Sequence, residues 1–258
     1  MARRVVVTGS ASGIGGAVAS TLQQQGDTVI GVDRATADVC ADLATESGRR
    51  EAVAEVWRQC DGVLDALVAC AGMADPDPAT VAVNYFGVVE LATALRPALA
   101  AAQAPRVGVV ASISGTQPFD ADVVSSCLAG QEHDARRHAA SAVTAGNGHR
   151  LYPSSKVALT RWVRRTCVAP GWADAGIALN AVAPGVVLTP MTEPLLRDET
   201  MRAAAENAVP MPLHGMASPS AISRPLCWLV SSETTHITGQ VLYVDGGAEV
   251  TLRGECAG

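Results

Sequence analysis

The sequence predicts an α/β fold: one doubly wound parallel sheet with helices on both faces, in a single domain spanning 1–258. Three observations predict it. Short runs rich in Val, Ile and Leu alternate with helix-period patterns along the chain. The runs are apolar on both faces, as strands are when helices cover both sides of a parallel sheet. A glycine-rich turn lies directly between the first run and the first helical pattern.

The elements follow in order. Strands are predicted at 4–8, 28–32, 64–70, 107–112, 177–183 and 240–244, and helices at 13–25, 47–60, 83–101, 152–168, 193–207 and 219–231. Two places break this rhythm. Too few residues separate Asp33 from a possible strand around Val39 for a helical crossover, so a helix is missing there. At 115–150 a polar, Ala- and His-bearing segment, with a possible helix at 131–143, reads as a surface insertion.

Composition narrows the classes. With 258 residues, 48% hydrophobic and 17% charged, the chain can bury a core and is no disordered tail. No apolar stretch approaches the about 18 residues needed to span a bilayer, which speaks against a membrane protein. The opening Arg3-Arg4 followed by three valines is far short of a secretory h-region and reads as a buried strand. The net charge of −6 and the absence of a basic block argue against a nucleic-acid partner. Seven cysteines are scattered and never paired as CxxC, so they read as reduced core thiols, consistent with a cytoplasmic location. The five histidines show no metal-ligand spacing and no metal is expected. The four tryptophans read as helix packing.

Thr8-Gly9-Ser10-Ala11-Ser12-Gly13-Ile14-Gly15 ends the first strand and opens a helix whose Ile14, Val18 and Leu22 share one face. Glycines there let the backbone approach a pyrophosphate, whose charge the free N–H groups of the helix start stabilise. The spacing departs from GxGxxG, and a lone glycine-rich turn is weak by itself. Eighteen residues after Gly15, the second strand ends at Asp33, where an acid accepts hydrogen bonds from an adenosine ribose and repels a 2′-phosphate. NAD is therefore expected over NADP, although the adjacent Arg34 softens that repulsion.

Tyr152-Pro153-Ser154-Ser155-Lys156 sets a phenol and an ammonium four apart, on one face of a helix and about 5.4 Å along its axis. Pro153 fits only a first helical turn. At roughly 4 Å, with an effective dielectric near 20, the ammonium is expected to lower the phenol's pKa by about three units. YxxxK by itself arises by chance in many helices.

Together these segments resemble the short-chain dehydrogenase/reductase family over nearly the whole chain. Its TGxxxGxG motif is matched by Thr8, Gly9, Gly13 and Gly15. The resemblance implies a Rossmann-like fold and a nicotinamide cofactor held by Gly9, Ser12, Gly13, Ile14, Gly15, Asp33, Arg34, Ala71 and Gly72. It adds Tyr152, Lys156, Pro184, Gly185, Val187 and Thr189 to that set. The adenine-side acid of the family falls on Asp42, followed by Leu43. Tyr152 is implied as general acid/base, Lys156 as its activator, and Ser112 as the holder of the substrate oxygen, with Ser114 the fallback. Asn84 is implied to hold a water and complete a proton relay to Lys156. Ala69-Cys70-Ala71-Gly72 stands where the family shows NNAG, without the asparagine that steadies the central strand. Asp245-Gly246-Gly247 matches the family's ending.

Within the family the chain is most similar to the bacterial 3α-hydroxysteroid dehydrogenase/carbonyl reductase group. That likeness rests on Val83-Asn84-Tyr85-Phe86-Gly87, the missing helix after Asp33, and the 40 positions between Ser112 and Tyr152. It implies hydride exchange between a secondary alcohol or ketone and NAD, with an aryl or allylic alcohol as the alternative substrate class. A non-catalytic NAD-binding regulator is the rival of another kind. Substrate contacts are expected from Ser114, Gly115, Met191 and Leu195, the last two in an apolar, proline-flanked lid at 190–212. The insertion is expected to cover one dimer face, leaving the 219–231 helix and last strand to form a homodimer or homotetramer.

Overall fold

A computed structural model describes residues 2–256. Seven parallel strands form one sheet in the order β3-β2-β1-β4-β5-β6-β7. They are β1 Arg4–Thr8, β2 Thr28–Asp33, β3 Val39–Cys40, β4 Ala66–Ala69, β5 Arg106–Val110, β6 Ala178–Pro184 and β7 Val241–Val244. The strand order reverses between β1 and β4, both of which pair in parallel register. In such sheets the crevice at the carboxyl ends of the diverging strands is where ligands bind.

Strand alternation divides the core. Val5 and Val7 of β1 face helices α1 (Gly13–Gln24) and α10 (Pro219–Leu229) through Val18, Leu22, Ile222 and Leu226. Val6, Leu67, Val107 and Val109 face the other layer, where α2 (Glu46–Cys60) and a long helical run supply Val56, Leu91 and Leu95. That run consists of α3 (Pro78–Val81), a π-turn at Ala82–Phe86 and α4 (Gly87–Ala100). It starts ahead of the predicted boundary because Asp77 caps it, accepting from Ala79 N at 2.7 Å, with Pro78 in its first turn. At 23 residues, Pro78–Ala100 is also long and apolar enough to cross a membrane, a length the sequence reading did not credit. Its apolar window is 67% buried inside the protein, so that surface is spent on the core.

The missing helix is real. β2 and β3 are joined by Arg34–Asp38 alone, with Thr36 at φ 57° turning the chain. Asp38 accepts from Gly31 N at 2.7 Å, satisfying a strand N–H that the short β3 leaves unpaired. The 115–150 insertion is less superficial than expected. It holds two helices, α5 (Ala121–Leu128) and α6 (Glu132–Thr144), whose Val123, Val124, Cys127, Ala135 and Ala139 enter the main core beside α7 (Leu151–Thr166). The predicted lid helix is two helices, α8 (Glu193–Arg197) and α9 (Glu199–Ala208). They break at Asp198, whose carboxylate accepts from Met201 N to cap α9. A terminal helix, α11 (Ala248–Arg253), was not predicted; Asp245 opens it by accepting from Gly247 N and Glu249 N.

Four cysteines (Cys60, Cys127, Cys167, Cys227) are buried and none of the described ones is bridged, as the scattered spacing suggested. Trp162 and Trp172 pack edge to face at 5.9 Å.

Candidate active site

At the reversal of strand order, Gly9 (φ 69°) turns the chain out of β1 so closely over the end of β4 that a Cβ there would meet Ala71 N at 2.9 Å. A Cβ on Gly15 would stand 2.1 Å from Gly9 O, so only glycine lets α1 begin this near the turn. Thr8 Oγ1 accepts from both Cys70 N and Ala71 N, at 3.1 and 3.0 Å. That hydroxyl ties β1 to β4 although the family's asparagine is replaced by Cys70.

The start of α1 fits an anion. Ser12 is its N-cap but makes no side-chain capping bond, and no acid occupies the first turn. The free N–H groups and the positive end of the helix dipole are thus left facing the crevice. Asp33 closes the turn from the other side, its carboxylate accepting from Ala11 N at 3.0 Å and Arg34 N at 2.7 Å. Thr189 reaches across to within 3.4 Å of where a Gly13 side chain would begin. Its own loop is fixed by Thr192, which donates to Val187 O at 2.5 Å and accepts from Thr189 N. Pro184 ends β6, and Gly185 packs against Met211 and Asp245 where no side chain would fit. The cradle therefore gathers Gly9, Ser12, Gly13, Ile14, Gly15, Asp33, Ala71, Gly72 and Thr189 around one crevice, with the first turn of α1 at its centre. The pair expected on the adenine side, Asp42 and Leu43, lies farther along the sheet edge, where Asp42 accepts from Ala44 N at 2.9 Å and Leu43 is buried.

Beyond β5, Ser112 is extended (φ −169°, ψ 152°) and caps a short 3₁₀ turn, Ile113–Thr116, by accepting from Ser114 N at 3.1 Å. It lies two residues past the strand that was expected to end on it. Its hydroxyl stands near enough to the Tyr152 phenol to pull that group's pKa down, whereas Ser114 contributes its backbone to the cap. A Cβ on Gly115 would stand 3.9 Å from the Lys156 backbone. Lys156, 3% exposed, donates to Val110 O at 2.9 Å, its one hydrogen bond among the described residues. Two ammonium donors remain for another oxygen, the chemistry a ribose diol offers.

The charges differ from the expectation. The Lys156 ammonium stands over the Tyr152 ring, 5.5 Å from its centroid. Burial pushes the Tyr152 phenol up, opposed only in part by the nearby Ser112 hydroxyl, so the predicted drop of about three units toward neutrality is not produced by this arrangement. Burial instead brings Lys156 down to about 8, against a weaker opposing pull from Cys70.

Asn84 is fully buried in the π-turn. Its Oδ1 accepts from Met73 N (2.8 Å), while Nδ2 donates to Met73 O (2.9 Å) and Ser155 Oγ (3.0 Å). Ser155 in turn donates to Tyr152 O at 2.7 Å. Both amide donors are thus spent on protein, so the side chain fixes the turn and the start of α7; its expected water-holding role gains no direct contact with Lys156. The π-turn and Ser155 were both missed. The only sequence signal was Ser155's place inside the YPSSK run. Met191 lies 3.9 Å from where a Gly72 side chain would begin, which brings the lid over the crevice beside Asn84; Leu195 on α8 is half-buried.

Comparison with known proteins agrees with this geometry. Residues 3–127 match the family model for short chain dehydrogenase, and 137–249 match one described as enoyl-(acyl carrier protein) reductase. A 3-alpha-hydroxysteroid dehydrogenase/carbonyl reductase of Comamonas testosteroni is 35% identical over 96% of this chain and 97% of its own. A tropinone reductase homolog of Arabidopsis thaliana is 30% identical over 95% of this chain and 90% of its own. Among solved structures, the 3-alpha-hydroxysteroid dehydrogenase from Pseudomonas sp. B-0831, complexed with NADH, superposes with a TM-score of 0.90 at 41% identity, covering 98% of this chain and 99% of that one. With this identity over nearly full length, and with the catalytic pattern on a doubly wound sheet, the chain belongs to the short-chain dehydrogenase/reductase family of oxidoreductases.

Proposed function

We propose that the protein transfers hydride between NAD and a secondary alcohol or ketone of hydroxysteroid type or similar apolar build. The observation that carries this is the meeting of Ser112, Tyr152 and Lys156 beside an anion-ready helix start, under a lid bearing Met191 and Leu195. The likeness to two 3-alpha-hydroxysteroid dehydrogenases, one of them bound to NADH, supports the substrate class and the cofactor.

Gly9, Gly13 and Gly15 bring backbone N–H groups to the pyrophosphate, and Asp33 accepts from the adenosine ribose while opposing a 2′-phosphate. Lys156 holds the nicotinamide-side ribose, and the 185–189 loop holds the carboxamide. When bound, the nicotinamide accepts the hydride in oxidation and supplies it in reduction. Ser112 holds the substrate oxygen and stabilises its developing charge; Tyr152 takes the hydroxyl proton in oxidation and returns it in reduction. Lys156 keeps a positive charge over the Tyr152 ring, and the Asn84 turn, through Ser155, holds the start of α7 that carries Tyr152.

Initial rates with NAD and NADP, against matched panels of 3α-hydroxysteroids and cinnamyl-type alcohols, test the proposal. Steroid turnover with NAD is expected. Turnover confined to the aromatic alcohols would overturn the substrate class, and tight NADH binding without turnover on either panel would overturn the enzyme reading. The assembly follows the same logic. Trp228 on α10, Leu242 on edge strand β7, and Val250 and Leu252 on α11 are between 40% and 63% exposed, an apolar face suited to a second copy of the chain. A homodimer or homotetramer in the cytoplasm is proposed; sedimentation as a monomer would overturn the pairing.

A further inference from the structure

The insertion reaches residues 43 and 44, beside β3, through one cluster of charges. Arg49 on α2 is 1% exposed and pairs with Glu90 on α4 at 2.6 and 3.2 Å and with Glu132, the first residue of α6. Its remaining reach is to Leu43 O, at 3.2 Å. Arg136, one turn along α6, lies 3.6 Å from the same Glu132 and donates to Ala44 O at 3.1 Å. Two guanidiniums thus hold two successive carbonyls, and two carboxylates neutralise them. Glu132 sits at the helix end where an anion is favoured. Behind this segment, a Cβ on Gly87 would meet Leu43 Cβ at 3.3 Å, so α4 backs it closely.

A cluster meant only to fasten the insertion would not need to end on these carbonyls. The insertion is already fastened elsewhere: Ser154 Oγ accepts from Asp120 N at 2.8 Å, and Arg165 donates to Leu128 O at 2.9 Å. The segment it grips is the one that carries Asp42 and Leu43. We infer that α6 serves the cofactor, with Glu132 and Arg136 as positioning residues that fix residues 42–44 for the adenine end of NAD. The inference rests on the placement of the adenine at Asp42 and Leu43 given above.

The test compares binding of three compounds to the purified full-length protein: NADH, ADP-ribose, which keeps the adenine, and reduced nicotinamide mononucleotide, which lacks it. Arg136 is partly exposed on the rim, so Arg136→Ala can lose its bond to Ala44 without opening the core. It is expected to weaken NADH and ADP-ribose about fivefold to tenfold and leave the mononucleotide unchanged, with Arg136→Lys recovering part of the loss. Glu132→Gln, which keeps the shape and removes the charge, is expected to act in the same direction. Unchanged NADH affinity in both variants would overturn the inference, as would equal weakening of all three compounds. Asp42→Ala separates the two levels. If it leaves ADP-ribose affinity intact, the adenine placement itself fails; if it weakens ADP-ribose while Arg136→Ala does not, only the role of α6 fails.

Discussion

Lys156 and Arg49 are both nearly excluded from water, at 3% and 1% exposure, yet their surroundings are opposite. Arg49 lies between helices on a layer of the core and meets two carboxylates and a carbonyl. Burial would lower its pKa, but Glu90 and Glu132 more than offset that and hold it above its ordinary value. Lys156 has a single carbonyl partner, and among the described residues no carboxylate is bonded to it. Burial brings it to about 8. A charge that works by holding chain segments in place is neutralised within the chain; a charge that serves a reaction is left for something outside the chain to complete.

Removing Lys156 should therefore produce the largest effect on activity and the opposite sign on stability. Lys156→Met is expected to lower kcat/KM about 1,000-fold, roughly 4 kcal/mol of barrier, while raising unfolding stability by about 1–3 kcal/mol because a buried ammonium is gone. Initial rates and denaturant melts read the two together, and a destabilised variant would break the comparison. Tyr152→Phe should lose as much activity while NADH affinity stays within about twofold. The pH dependence sharpens the point. The folded-state pKa of Lys156, about 8, lies below that of an unfolded lysine, so between the two the unfolded chain holds a proton the folded one has released. Stability from this group should be flat below pH 8 and rise with pH from there toward about 10.4. In Lys156→Met that rise should be absent, as melts at pH 7.5 and 9.5 would show.

The Arg49 side predicts the reverse. Arg49→Met leaves Glu90 and Glu132 without their shared cation and Leu43 O without a donor. Because Glu90 and Glu132 side chains are 41% and 24% exposed, water relieves part of the cost, and a loss of about 2–4 kcal/mol is expected. A melt indistinguishable from the parent would mean the cluster contributes nothing to the fold.

How far each region could be read in advance follows from the same contrast. The Lys156 side was legible because its parts are local patterns: a phenol and an ammonium four apart, glycines at a strand-to-helix turn, an acid at the end of β2. The missing helix after Asp33 followed from spacing. The Arg49 cluster was not legible, because Glu132 is 83 positions from Arg49 and Glu90 is 41, and no periodicity links residues so far apart. The π-turn at Ala82–Phe86 was hidden for another reason: its residues continue the apolar helix-period pattern around them, and the extra residue in the turn is favoured only once Asn84 bonds Met73 and Ser155. The lid was read as one helix because Asp198 interrupts no apolar pattern, though it caps α9. The direction of the Tyr152 shift was misjudged because spacing gives separation along a helix but not how deeply the phenol is buried.

The smallest expected effect comes from a third charge, one neither neutralised by the fold nor sealed from water. Asp33 is partly exposed at the end of β2, and its carboxylate holds Ala11 N and Arg34 N. In Asp33→Asn the amide oxygen can still accept from Ala11 N, so the turn should stand and the melt should not move. What disappears is the negative charge opposing a 2′-phosphate, and the Arg34 guanidinium is then unopposed. Solvent screens an interaction at this position far more than one around Lys156 or Arg49. The ratio of kcat/KM for NADP to that for NAD should therefore rise only about tenfold, roughly 1.4 kcal/mol. An unchanged ratio would mean that Asp33 does no more than brace the glycine turn, and that discrimination at the ribose lies in the shape of the crevice. A larger rise, approaching a complete switch, would mean that the bound adenosine seals Asp33 from water and turns it into a buried charge of the Lys156 kind.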